Sequence, residues 1–115
     1  MLILLDEQLL RLDEQLPRQL AAHLSGHELR TVHQQGWDGL KNGLLLRTAE
    51  AGNFQDFLTS DQNLEFQLNL KKSGLFIVVL VAFTNKLEDL LPLVLAALNG
   101  FAPGKLIRVG EKKRP

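Results

Sequence analysis

At 115 residues, with 45% hydrophobic and 23% charged side chains, the chain has the size and composition of one globular domain that can bury its own core without disulfides or a structural metal. Thirteen basic and thirteen acidic residues cancel, which excludes a global field drawing the protein onto nucleic acid or an anionic membrane, so any RNA contact has to be local. The absence of cysteine excludes disulfides, zinc–thiolate sites and thiol catalysis, and it fits a reducing compartment, with the cytoplasm as the default.

Leu2 to Leu5 reads as the first strand and ends in an acidic pair, Asp6-Glu7. The run is too short for a signal-peptide core and lacks a basic start. Residues 5 to 11, Leu-Asp-Glu-Gln-Leu-Leu-Arg, are then repeated at 12 to 18 with Pro17 in place of Leu10. Two placements compete. Either Leu2 to Leu5 is the strand and the second copy lies in the following helix, or Leu9 to Leu12 is the strand and the first copy is an arm. Seven residues are about two helical turns, so a helix keeps its buried face, whereas an odd insertion exchanges the two faces of a strand. The second placement also buries Arg11 in a covered strand. Both points favour the first, while Pro17 suits the first turn of a helix beginning near Gln15 and would kink one starting at Gln8. A lengthened connection here could promote exchange of elements between two chains, giving a homodimer.

Further strands are expected at Glu28 to Val32, Phe54 to Thr59, Leu75 to Phe83 and Leu106 to Val109, separated by helical patterns as in β-α units around a mostly parallel sheet. Leu75 to Phe83 is apolar on both faces, as a central covered strand must be. Its nine residues fall well short of the roughly 20 that span a bilayer, so no transmembrane segment is expected. Leu40 to Ala51 and Lys86 to Leu98 carry apolar residues at helical spacing and close on Gly52 and Gly100, suited to C-terminal caps. Pro92 should kink the second helix or begin its main part. Residues 1–110 thus form one domain and the charged stretch 111–115 a flexible tail.

Ligand sites of such sheets lie outside the carboxyl ends of the strands, near the point where strand order reverses. Asp6 and Glu7 follow the first strand there, and Asp61 follows the third through Thr59-Ser60. Gathered carboxylates repel, and a divalent cation with oxygen ligands, Mg²⁺ or Mn²⁺, offsets that repulsion and supports phosphodiester hydrolysis. The plainer reading is that Thr59-Ser60-Asp61 caps a following helix, and Asp13 and Glu14 face the same alternative before Pro17. His23, His27 and His33 are spaced across a helix, a turn and a strand, so convergence on zinc does not follow. Trp37, bracketed by Gly36 and Gly39, serves either as a plug over the core or as a base-stacking platform, with the plug favoured. Lys41, Arg18, Lys71 and Lys72 are the basic groups best placed to meet phosphate.

Ile3-Leu4-Leu5-Asp6-Glu7, Leu16-Pro17-Arg18, Gly26-His27-Glu28, Thr31-Val32 to Gly36-Trp37, Gly39-Leu40-Lys41-Asn42-Gly43, Leu58-Thr59-Ser60-Asp61-Gln62-Asn63-Leu64 and Gln67-Leu68-Asn69-Leu70 follow one another in an order that resembles the PIN-like DUF5615 family. The resemblance runs to about Val109. It implies a PIN-like three-layer αβα fold with a central, mostly parallel five-stranded sheet, and a Mg²⁺-dependent endoribonuclease that is the toxin of a toxin–antitoxin pair, with an RNA substrate and an antitoxin protein as partner. Asp6 and Asp61 would be its metal ligands and Glu7 a supporting acid, with Asp13 in place of Asp6 if the second copy of the heptad lies in the sheet. The sequence departs from the pattern at Asn42-Gly43-Leu44, where relatives tend to carry another acid. That departure leaves room for a catalytically degenerate module acting through protein–protein interaction.

Overall fold

The computed structural model describes residues 2–6, 21, 22, 24, 26–61, 74–81, 87–100 and 102–109. Five strands, β1 (Leu2–Leu5), β2 (Glu28–Thr31), β3 (Asp56–Thr59), β4 (Phe76–Leu80) and β5 (Leu106–Val109), form one sheet in the order β2-β1-β3-β4-β5. Every pairing is parallel, so the expected mostly parallel sheet is parallel throughout among the described strands. The described residues include helices α1 (Asn42–Ala51) and α2 (Leu87–Asn99).

Alternation along the strands sorts the core into two layers. Ile3, Leu5, Leu58, Phe76, Val78 and Leu80 face Val94, Ala97 and Leu98 of α2, together with Leu24. Leu4, Phe57, Ile77 and Val79 face Leu45, Leu46 and Ala49 of α1. The domain is therefore a three-layer α/β fold. Burying side chains the size of Phe57 or Phe76 supplies about 1.5–3 kcal/mol each from apolar transfer, and β4, covered on both sides, is buried at every position. The β2-to-β3 and β4-to-β5 connections step the same way along the sheet, yet α1 and α2 cover opposite faces. Those two crossovers are consequently of opposite hand, and one of them is the uncommon left-handed kind.

Of the two placements of the duplicated heptad, β1 is Leu2–Leu5, paired in register with β2 through Leu2 and Glu28 and with β3 through Ile3 and Asp56. Leu9 to Leu12, like Asp13, lies outside the described residues. Boundaries differ from expectation where turns compete with the ladder. β2 stops at Thr31 because Val32 opens a turn, its N–H donating to the Leu5 carbonyl (3.0 Å) and its carbonyl accepting from Trp37 N–H (3.0 Å). β3 begins at Asp56 rather than Phe54 because Phe54 completes the exit from α1: Phe54 N–H donates to the Ala49 carbonyl (3.0 Å) and Asn53 N–H to the Glu50 carbonyl (3.1 Å), the paired bonds of a Schellman cap. Gly52 is the C-cap, as expected, with φ −84°; the left-handed residue is the next one, Asn53 (φ 68°). Helix α2 runs through Pro92 from Leu87 to Asn99, tolerating one lost backbone donor.

Candidate active site

The strand order reverses between β1 and β3, whose carboxyl ends border the crevice where parallel α/β sheets hold their ligands. Asp6 leaves β1 at that point, its N–H donating to the Leu58 carbonyl (2.9 Å) and so extending the β1–β3 ladder by one bond. Thr59, the last residue of β3, is fully buried. Its hydroxyl donates to Asp6 Oδ2 at 2.6 Å and accepts from the Asp61 N–H at 3.0 Å. One buried side chain thereby fixes the direction of the Asp6 carboxylate and the backbone that presents Asp61. Both aspartates are half-buried, a setting that keeps a carboxylate near solvent yet restrains it.

The ends of the first and third strands are joined by a side-chain bond that the sequence did not announce. Thr59 and Ser60 read as a helix-capping stretch; the Thr59 hydroxyl makes a turn to Asp61 and also reaches across to β1. Glu7 and Asp13 lie outside the described residues, as do His23, Arg18, Lys71 and Lys72. Among the described residues, no three His, Asp or Glu side chains come together as a metal cluster. Two carboxylates with hard oxygen donors remain, and a hydroxyl donor on one of them orients it without neutralising it. That set fits a Mg²⁺ or Mn²⁺ ion that keeps several waters and takes further oxygens from a substrate phosphate. It does not make a closed all-protein cage.

Around this crevice, α1 begins at Asn42 on the same edge of the sheet, with Lys41 extended (φ −71°, ψ 153°) before it and no acidic residue in its first turn. Trp37 packs against the core beneath α1, edge-on to Phe54 with ring centroids 5.6 Å apart, which makes it the plug rather than a stacking platform. His27 and His33 do not share a cluster, and His33 instead pairs with Asp38.

At the opposite, amino edge, Asp56 opens β3 with 0% exposure and neither carboxylate oxygen hydrogen-bonded among the described residues. Burial raises its pKa to about 6. Sequence reading passed over this residue, although a lone acid within the apolar run Phe54 to Thr59 was a signal that it would be buried.

No protein-family model, no curated protein and no solved structure matches this chain. Among the described residues no helix is long and apolar enough to cross a membrane.

Proposed function

We propose that the crevice between β1 and β3 is the active site of a PIN-like, divalent-metal-dependent endoribonuclease, the toxin of a toxin–antitoxin pair. The observation that carries this reading is the Thr59 hydroxyl at the switch point of the sheet, which donates to the Asp6 carboxylate and accepts from the Asp61 backbone N–H. Asp6 and Asp61 would hold Mg²⁺ or Mn²⁺, with Thr59 keeping Asp6 aimed, and Glu7, the next residue in the sequence, is the proposed supporting acid. Once bound, the ion lowers the pKa of a coordinated water and offsets charge growing on the phosphoryl oxygens. Lys41 at the same edge supplies local positive charge for the RNA backbone in a chain with no net charge.

A second reading, a catalytically degenerate PIN-like module that works through a protein partner, draws on Leu44. This leucine sits in the first turn of α1 at the same edge and is 47% exposed, within the Asn42-Gly43-Leu44 segment where the family resemblance implies an acid.

RNA cleavage assayed with Mg²⁺ and Mn²⁺ separates the two. Loss of cleavage in Asp6→Asn and in Asp61→Asn is the expected result, and unchanged activity in both variants removes these residues from the mechanism. Calorimetry without Mn²⁺ binding, together with a stable complex formed with the product of the neighbouring gene, would instead establish the interaction module.

A further inference from the structure

A carboxylate–imidazole pair lies in the loop that follows β2 at the carboxyl edge of the sheet. His33 Nδ1 lies 2.6 Å from Asp38 Oδ2, with the imidazole side chain 77% exposed. The loop that carries it is pinned. Val32 N–H donates to the carbonyl of Leu5, the residue before Asp6; Trp37 N–H donates to the Val32 carbonyl, and Gly36 N–H to the His33 carbonyl (2.9 Å). Gly36 has φ 73°, which lets the chain turn back so that Trp37 can reach the core. His33 is thus one residue beyond the bond that ties β2 to the end of β1. Alternation from Leu4 to Asp6, and from Phe57 to Thr59, puts Asp6 and Thr59 on the α1 face of the sheet, where Trp37 also packs.

An exposed ion pair adds little to stability, so fold maintenance explains this one poorly. A rigidly supported imidazole with one nitrogen fixed by a carboxylate, and the rest of the ring open to solvent, has the form of a proton donor. We propose that His33 is the general acid of the reaction, giving its Nε2 proton to the leaving oxygen of the phosphodiester, with Asp38 as the positioning residue. This rests on the nuclease reading above. Water attacks phosphorus and forms the new P–O bond. The P–O bond to the ribose oxygen breaks, its electron pair goes to that oxygen, and the Nε2 proton is transferred to it. His33 is left neutral, with its remaining proton on Nδ1 facing Asp38. The proton released by the attacking water passes to solvent, which also reprotonates Nε2.

The test compares a substrate that needs leaving-group protonation with one that does not. With His33→Gln, RNA cleavage should fall about 100-fold in kcat with KM little changed, while bis(p-nitrophenyl) phosphate, whose leaving group departs without a proton, should lose less than about threefold. Asp38→Asn should follow the same pattern with a smaller loss. In addition, inorganic phosphate should shift the imidazole NMR resonances of His33 and leave those of His27 in place. Equal losses on both substrates, an unaltered RNA rate, or a His33 signal indifferent to phosphate overturns the proposal. If Asp6→Asn abolishes cleavage but His33→Gln does not alter it, the general acid alone falls. Wild-type protein that cleaves neither substrate with either metal overturns the nuclease reading and the general acid with it.

Discussion

At its first residue β3 holds Asp56, fully buried with neither oxygen hydrogen-bonded among the described residues; two residues past its last, Asp61 is half-buried and tied through Thr59 to Asp6. The same residue type, at the two ends of one strand, meets opposite conditions. At the amino edge desolvation penalises the charged form and lifts the pKa to about 6. At the carboxyl edge Asp61 is only half-buried and is held through its backbone N–H, while the Thr59 hydroxyl donates to the Asp6 carboxylate. A displaced pKa is often a pointer to function; here it marks the end of the strand away from the crevice, and it is hydrogen-bond convergence that marks the candidate site.

The largest effect that would sharpen this contrast is on catalysis. Asp6→Asn should lower metal-dependent RNA cleavage on the order of a thousandfold, the several kcal/mol expected when a metal-held phosphoryl transition state loses a ligand. Chemical denaturation should show little change, because Asp6 is only half-buried. A variant that loses stability and activity together would make Asp6 a structural residue like Asp56.

Asp56→Asn should do the reverse. A carboxyl group whose pKa is about 6 when folded and 3.8 when unfolded binds its proton more tightly in the native state. Its penalty is absent below about pH 3.8, grows through the window between those values, and is complete above about pH 6. The difference corresponds to up to about 3 kcal/mol at neutral pH. The variant should therefore be more stable than wild type at pH 7, with the gain vanishing near pH 4, and should keep its RNA cleavage. Equal stability of the two proteins at every pH from 4 to 7 would show that Asp56 carries no such penalty.

Thr59→Val keeps the shape and removes the hydroxyl that joins the two strand ends. Loss of both hydrogen bonds should cost about 1–3 kcal/mol in urea denaturation and weaken Mn²⁺ binding by calorimetry, whereas Thr59→Ser should restore most of each. A Val variant with wild-type metal affinity would show that Asp6 and Asp61 are positioned without it.

How far the sequence anticipates this arrangement depends on whether the deciding interaction is local. The five strands, their layering and the choice of Leu2–Leu5 over Leu9 to Leu12 all follow from apolar runs and strand periodicity, which act over a few residues. That Asp6 and Asp61 share an edge follows from topology alone. The Thr59 bond to Asp6 joins residues 53 apart, and nothing in the local Thr59-Ser60-Asp61 stretch distinguishes it from a helix cap. The burial of Asp56 likewise depends on Ile3 and Phe76 flanking it across the sheet.

The amino edge contains a smaller case of the same lesson, in the turn that delivers the chain from α1 to Asp56. Glycine at the end of a helix commonly takes the left-handed position, and a Gly52→Ala change there would be costly. Instead Gly52 has φ −84°, and a Cβ built there meets only the carbonyls of Thr48 and Ala49 and the edge of Trp37 at 3.4–3.5 Å, ordinary contact distances. The left-handed strain falls on Asn53 (φ 68°), a residue whose short polar side chain tolerates it better than most. Gly52→Ala should thus stabilise by about 0.4–1 kcal/mol by restricting the unfolded chain, while Asn53→Ala should destabilise by about 1–2 kcal/mol. Both variants should retain cleavage and an unchanged pH dependence of stability, since neither touches Asp56 or the crevice. Thermal melts showing the opposite signs would move the left-handed position to Gly52 and the entry into β3 by one residue, which would shift every side chain of that strand to the other face.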